Sequence, residues 1–150
     1  MKEKESEVQS RAAAVAAWEA LFRAQVSVMR SLAASFPTDE ISLNEYDVLY
    51  TLSREPERRM RLRDLNTRVL LTQPSVSRLV DRLVSRGLIA KMPDCADGRG
   101  TVISLTDDGF HLFRRVAVSH IACIRERVGE VLDDDELEQL TIICNKLRTG

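Results

Sequence analysis

From residue 76 to 84 the apolar positions Val76, Leu79, Val80, Leu83 and Val84 recur at i, i+3, i+4, i+7 and i+8 without a miss. That spacing lays one continuous apolar stripe along a helix. Thr72 is placed to cap this helix and Gly87 to end it, and Gln73-Pro74 suit its first turn, where a proline loses no intrahelical hydrogen bond. Two β-prone runs follow at once, Leu88 to Met92 and Thr101 to Leu105, on either side of the turn-rich segment Pro93 to Gly100. A helix with one apolar and one Ser/Arg face, followed by a hairpin tipped with Arg99, predicts a winged helix-turn-helix. It points to DNA rather than to catalysis.

The rest of the chain reads as helix. Residues 8–36 carry Val15, Trp18, Phe22, Val26, Met29, Ala33 and Phe36 at three- and four-residue steps, and Pro37 ends the run. A helix of about 29 residues is long for a globular domain, which predicts that it reaches past its own domain to a partner chain. Ser42 and Glu45 form a capping box for a helix over about 43–54, closed by Pro56. Met60 to Leu62 is short and extended, and a brief helix over 63–69 turns Leu65 and Val69 inward. Thr106 caps a long helix over about 107–131, with Phe110, Phe113, Val116, Ala117, His120, Ile121, Ile124 and Val128 at helical spacing. Asp133 and Glu136 form a second capping box, where the helix dipole favours acids. The last helix turns Leu137, Leu140, Ile143, Cys144 and Leu147 inward. The expected architecture is mainly α with a small β-hairpin wing. It forms one domain over 1–150, with a DNA-binding winged-helix lobe at about 42–106 and dimerisation helices at about 8–36 and 107–148.

Net charge is −1, which does not by itself suggest a polyanion partner. Its distribution does: residues 54–99 hold eleven Lys/Arg against six Asp/Glu, a local +5, and the flanks together carry −6. No apolar run approaches the roughly 20 residues that span a bilayer. The charged start, Met1 to Glu7, precedes no signal-type apolar block, so the expected location is cytoplasmic with no membrane partner. Gly-rich phosphate loops, nucleophile elbows and paired acid/base motifs are all missing, which argues against an enzyme and against a bound cofactor. Cys95, Cys123 and Cys144 are widely spaced without zinc-ligand spacing, and an odd count suggests free thiols. The two histidines, His111 and His120, lie nine residues apart on one helix, which does not favour a metal site.

On the outward face of the 76–86 helix, Ser77, with Gln73 and Ser75 just before it, can approach base edges or phosphates, and Arg78 and Arg82 can reach a phosphate or a guanine edge. Arg99 suits a minor groove, and Asp97, two residues earlier, suits a scaffold that holds Arg99 or the loop backbone. With these residues in place the chain resembles the multiple-antibiotic-resistance regulator (MarR) family of bacterial transcription factors. The matching wing pattern is D-x-R-x-x-x-[IVL]-x-L-T, met by Asp97, Arg99, Ile103, Leu105 and Thr106. The segment Ser75 to Leu83 followed by Gly87-Leu88-Ile89 matches the family's recognition-helix text. The resemblance implies a homodimer joined through its terminal helices, bound to a palindromic operator of double-stranded DNA, usually as a repressor. It implies Ser75, Ser77, Arg78 and Arg82 in the major groove and Arg99 in the wing.

The resemblance further implies a signal, since many regulators of this family are released from DNA by small anionic or phenolic ligands, or by thiol oxidation. By position, Trp18, Phe22, Tyr46, Tyr50 and His111 are the residues to weigh for a ligand, although the spacing of Trp18 and Phe22 reads first as core. Family redox sensors usually carry a cysteine near the start of the first helix. None precedes Cys95 here, so thiol sensing is the alternative reading, with Cys95 exposed in the wing loop and Cys123 and Cys144 as small core residues. A protein-interaction module without DNA binding is a further alternative of a different class.

Overall fold

A computed structural model describes residues 2–69 and 76–150, which divide into two units: residues 2–35 with 123–150, and residues 36–122. Thr72, Gln73, Pro74 and Ser75, the expected start of the recognition helix, lie outside the described residues.

The 36–122 unit contains α2 (Leu43–Ser53), β1 (Arg59–Arg61), α3 (Leu62–Arg68), α4 (Val76–Ser85), β2 (Ile89–Pro93), β3 (Thr101–Leu105) and most of α5 (Asp107–Ile124). Ser42 caps α2 as its sequence predicts. The Glu45 N–H donates to Ser42 Oγ at 3.2 Å, and Glu45 Oε2 accepts from the Ser42 N–H at 2.8 Å. Val76, Leu79, Val80 and Leu83 of α4 are buried with Val48, Leu49, Leu52, Leu65 and Ile103. Each such side chain contributes about 1.5–3 kcal/mol by leaving water, so the stripe on α4 fixes which face remains outside.

Gly87 ends α4 at φ +72, a conformation that a residue with a side chain adopts only under strain. The Leu88 N–H donates to Leu83 O and the Gly87 N–H to Val84 O, both at 3.0 Å, the paired bonds of a Schellman stop. The chain then enters β2. The sheet is larger than the expected hairpin. Its order is β1-β3-β2, all antiparallel, because Arg59–Arg61 pairs along the outer side of β3 with Met60 opposite Ile103. The sequence marked 60–62 as extended, but a three-residue strand carries no signal of its partner.

Thr106 stitches the end of the sheet to α5. Its hydroxyl donates to Gly87 O at 2.7 Å and accepts from the Gly109 N–H at 3.0 Å. Gly109 is required for a different reason than Gly87: a Cβ there would lie 2.1 Å from the carbonyl oxygen of Leu88. Backbone cannot yield that far, so Gly109→Ala is expected to cost about 2–3 kcal/mol, the upper end for overpacking. A fall in the urea midpoint at unchanged m-value checks it. The turn before β1 holds Glu57 and Arg58 at φ 52 and 54, and it sets the Arg58 guanidinium 3.5 Å over the Phe110 ring.

The other unit contains α1 (Lys2–Ser35), the end of α5, a π-helical turn (Arg125–Gly129) and α6 (Asp134–Thr149). Asp133 caps α6 through a second capping box with Glu136. Arg127 Nη2 donates to Ser27 Oγ at 3.2 Å, tying the π turn to α1. Here the expected burial is corrected. Trp18 and Phe22 read as core but are 61% and 53% exposed, and Leu140, Ile143 and Leu147, read as inward, are exposed as well. Periodicity marks these faces as apolar, and the described residues leave them largely uncovered. Ile121 and Ile124 are likewise exposed on α5, and Cys123 and Cys144 are half-buried rather than core.

Candidate nucleic-acid interface

Because α4 spends its apolar stripe on the core, its other face is left to Ser77, Arg78, Asp81, Arg82, Ser85 and Arg86, all exposed. These side chains are not equally free. Asp81 takes Lys91 in an ion pair. Arg86 donates to Glu40 O at 2.6 Å, and both Arg86 and Arg82 lie 3.9 Å from the Glu45 carboxylate. Arg78 has no partner among the described residues. The helix thus presents one uncommitted arginine near its start and two nearer its end that lean toward α2.

The wing follows from β2, β3 and the loop between them. The Arg99 N–H donates to Asp97 Oδ1 at 3.2 Å, and the Gly100 N–H to Asp97 O at 2.8 Å. Asp97 therefore holds the backbone of the turn and not the Arg99 guanidinium. Arg99 itself is exposed, with no side-chain partner among the described residues. A cleft of about 370 Å³ separates the wing from α3 and the start of α4, and it brings Ser77 and Arg99 together with Arg61, Arg63 and Asn66. Sequence reasoning named Ser77 and Arg99. It missed the other three: Arg61 and Arg63 showed only in the local excess of positive charge and Asn66 showed no signal, because where β1 and α3 sit beside the wing follows from pairings distant in the chain. Gln73 and Ser75, also named, lie outside the described residues.

The ligand candidates divide between the units. Trp18 and Phe22 stack with ring centroids 5.8 Å apart and line an apolar groove of about 430 Å³ with Leu147 and Arg148. Tyr46 is buried against Phe36, Phe113 and His120, at 5.5, 5.3 and 4.9 Å between centroids. Burial, with a smaller contribution from Tyr50, pushes the Tyr46 phenol up to about 12, so it stays protonated. Tyr50 is half-buried beside Phe113, and His111 is exposed beside Phe110. Among the described residues no group of three or more His, Cys, Asp or Glu is placed to hold a metal ion. No described helix is long and apolar enough to cross a membrane.

His120, placed on the inner stripe by its spacing alone, is the more consequential histidine. It is buried among the rings, and its Nδ1 has no hydrogen-bond partner among the described residues. Burial lowers its pKa from the ordinary 6.5, so the unfolded chain takes up the proton more readily than the folded one. The stabilising contribution is complete above about pH 6.5 and is lost as pH falls toward the lowered folded value. The melting temperature of the wild type is therefore expected to drop more than that of His120→Phe between about pH 7.5 and 5.5. Equal drops would assign the acid sensitivity to carboxylates.

The MarR family model matches residues 40–100, from just before α2 through α4 and β2 to the end of the wing loop. The HTH-type transcriptional regulator PecS of Dickeya dadantii (strain 3937) is 30% identical over 118 residues, covering 77% of this chain and 70% of PecS. Among solved structures, the MarR family regulator Sco3205 of Streptomyces coelicolor, determined in complex with DNA, superposes with a TM-score of 0.77 at 26% identity, covering 89% of this chain and 84% of Sco3205. PcaV of the same organism, determined in complex with its natural ligand, gives a TM-score of 0.69 at 27% identity, covering 87% and 90%. The chain belongs to the MarR family of winged-helix, DNA-binding transcriptional regulators.

Proposed function

We propose that the protein acts as a homodimer that represses transcription from a palindromic operator and leaves it on binding a small anionic or phenolic ligand. The observation that carries this reading is the cleft that Ser77 of α4 and Arg99 of the wing both line. With α4 in a major groove, Gln73, Ser75, Ser77, Arg78 and Arg82 face base edges and phosphates, and Arg99 reaches the adjacent minor groove. Asp97 holds the turn that carries Arg99. The apolar faces of α1 and α6 supply the self-association, and a two-fold dimer calls for two-fold half-sites. The ligand response is supported by PcaV, which was solved with its natural ligand.

The test is a gel shift on the DNA upstream of the protein's own gene, with and without simple phenolic acids and with and without peroxide. Retardation relieved by a phenolic acid supports the reading. Relief by peroxide alone transfers the signal to a thiol, with the exposed Cys95 first in line. Failure to bind any duplex removes the DNA reading altogether.

A further inference from the structure

The described charged residues of the wing are exposed except for one carboxylate. Asp94 follows the last residue of β2 and is only 8% exposed. A carboxylate is costly to bury unless it is paired and hydrogen-bonded, so its partners state its task. Arg61 Nε, from β1, lies 2.7 Å from Asp94 Oδ2, an ion pair by distance whose N–H is not aligned as a hydrogen bond, so charge attraction alone compensates that oxygen. Asp94 Oδ1 accepts from the Ala96 N–H at 3.0 Å, and the Asp94 N–H donates to Gly100 O at 3.0 Å. Gly100 lies so close that a Cβ on it would stand 3.1 Å from Asp94 Cβ. The Asp94 side chain thus ties the outgoing arm of the wing loop to the edge strand β1, and its backbone N–H holds the returning arm. Arg99 lies between the tied residues Ala96 and Gly100, and nothing among the described residues holds its guanidinium.

We propose that Asp94 is a positioning residue for DNA binding: by gripping Arg61 it fixes the wing tip and so presents Arg99 to DNA in one place. The proposal rests on the reading of Arg99 as a DNA contact. It makes a prediction whose sign opposes simple electrostatics. Removing a negative charge beside a phosphate-binding surface strengthens binding to any duplex. Releasing the tip means that it must be ordered again on every encounter, which weakens the matched complex.

The test uses the full-length protein, a duplex selected from a random-sequence library by the wild type, and a scrambled duplex of equal length. Asp94→Asn is expected to lower affinity for the selected duplex about tenfold and to leave or raise affinity for the scrambled one. In an Arg99→Ala background Asp94→Asn should bring no further loss. Amide exchange at Ala96 and Gly100 should quicken, with α4 core amides unchanged. Asp94→Ser repeats the test should Asp94→Asn fold poorly, because a serine retains the local turn to Ala96 but not the grip on Arg61. Unchanged or tighter binding to the selected duplex, an equal loss in the Arg99→Ala background, or unchanged exchange at the tip would each overturn the proposal. In each of these three cases the DNA reading stands. If Arg99→Ala alone leaves binding unchanged, the wing's part in that reading falls, and the role of Asp94 falls with it.

Discussion

Leu147→Asp is expected to convert the protein to monomers and to lower its affinity for a palindromic duplex by about a hundredfold or more. Leu147 is 65% exposed on α6 and lines the groove that Trp18 and Phe22 form on α1. A substitution at so exposed a site changes the stability of a lone chain by no more than about 0.5 kcal/mol. A carboxylate buried in a subunit interface without a partner costs several times that. Losing the dimer also loses the coupling between two half-sites, which is worth about 10²–10⁴ in avidity without any change in the DNA-facing residues. Sedimentation equilibrium checks the first half of this prediction and a gel shift on the selected duplex the second. A variant that stays dimeric would move the interface away from the terminal helices.

Arg99→Ala is expected to weaken binding to the selected duplex by about 5- to 150-fold, the range for one good contact to a base edge or groove. The exposed side chain has no partner among the described residues, so thermal unfolding should not change. Arg78→Ala should act differently. Also free of partners among the described residues, it stands on the helix rather than the wing, and it should weaken selected and scrambled duplexes alike if it meets phosphate. A fall in melting temperature without loss of binding would make Arg78 structural. Arg82, 3.9 Å from Glu45, begins from a partly committed position and should matter less than Arg78.

The sequence carried most of the lobe because its signals there are local. The unbroken stripe on α4, the Schellman glycine at 87, the capping serine at 42 and the Thr106 hydroxyl each act within a few residues, and each stands where its spacing placed it. What was not legible depends on residues far apart in the chain. Arg61 meets Asp94 only because β1 pairs with β3, so the carboxylate that looked like one more acid in a loop is buried. Asp97, the more conspicuous partner in the D-x-R motif, bonds only backbone. The terminal helices failed in another way. Periodicity finds an apolar face, but it does not say whether the same chain or another covers it, which is why Trp18 and Leu147 read as core and stand in solvent here.

The central claim is that α4 and the wing form a phosphate-binding surface on each half of a dimer. It is tested most directly by the affinity of the full-length protein for duplex DNA as a function of salt. If Arg78, Arg82 and Arg99 of both protomers each neutralise a phosphate, log K should fall with log salt with a slope of about −5, reduced by about 2 in Arg99→Ala. Binding that does not change with salt, or no binding to duplex DNA at low salt, would contradict it.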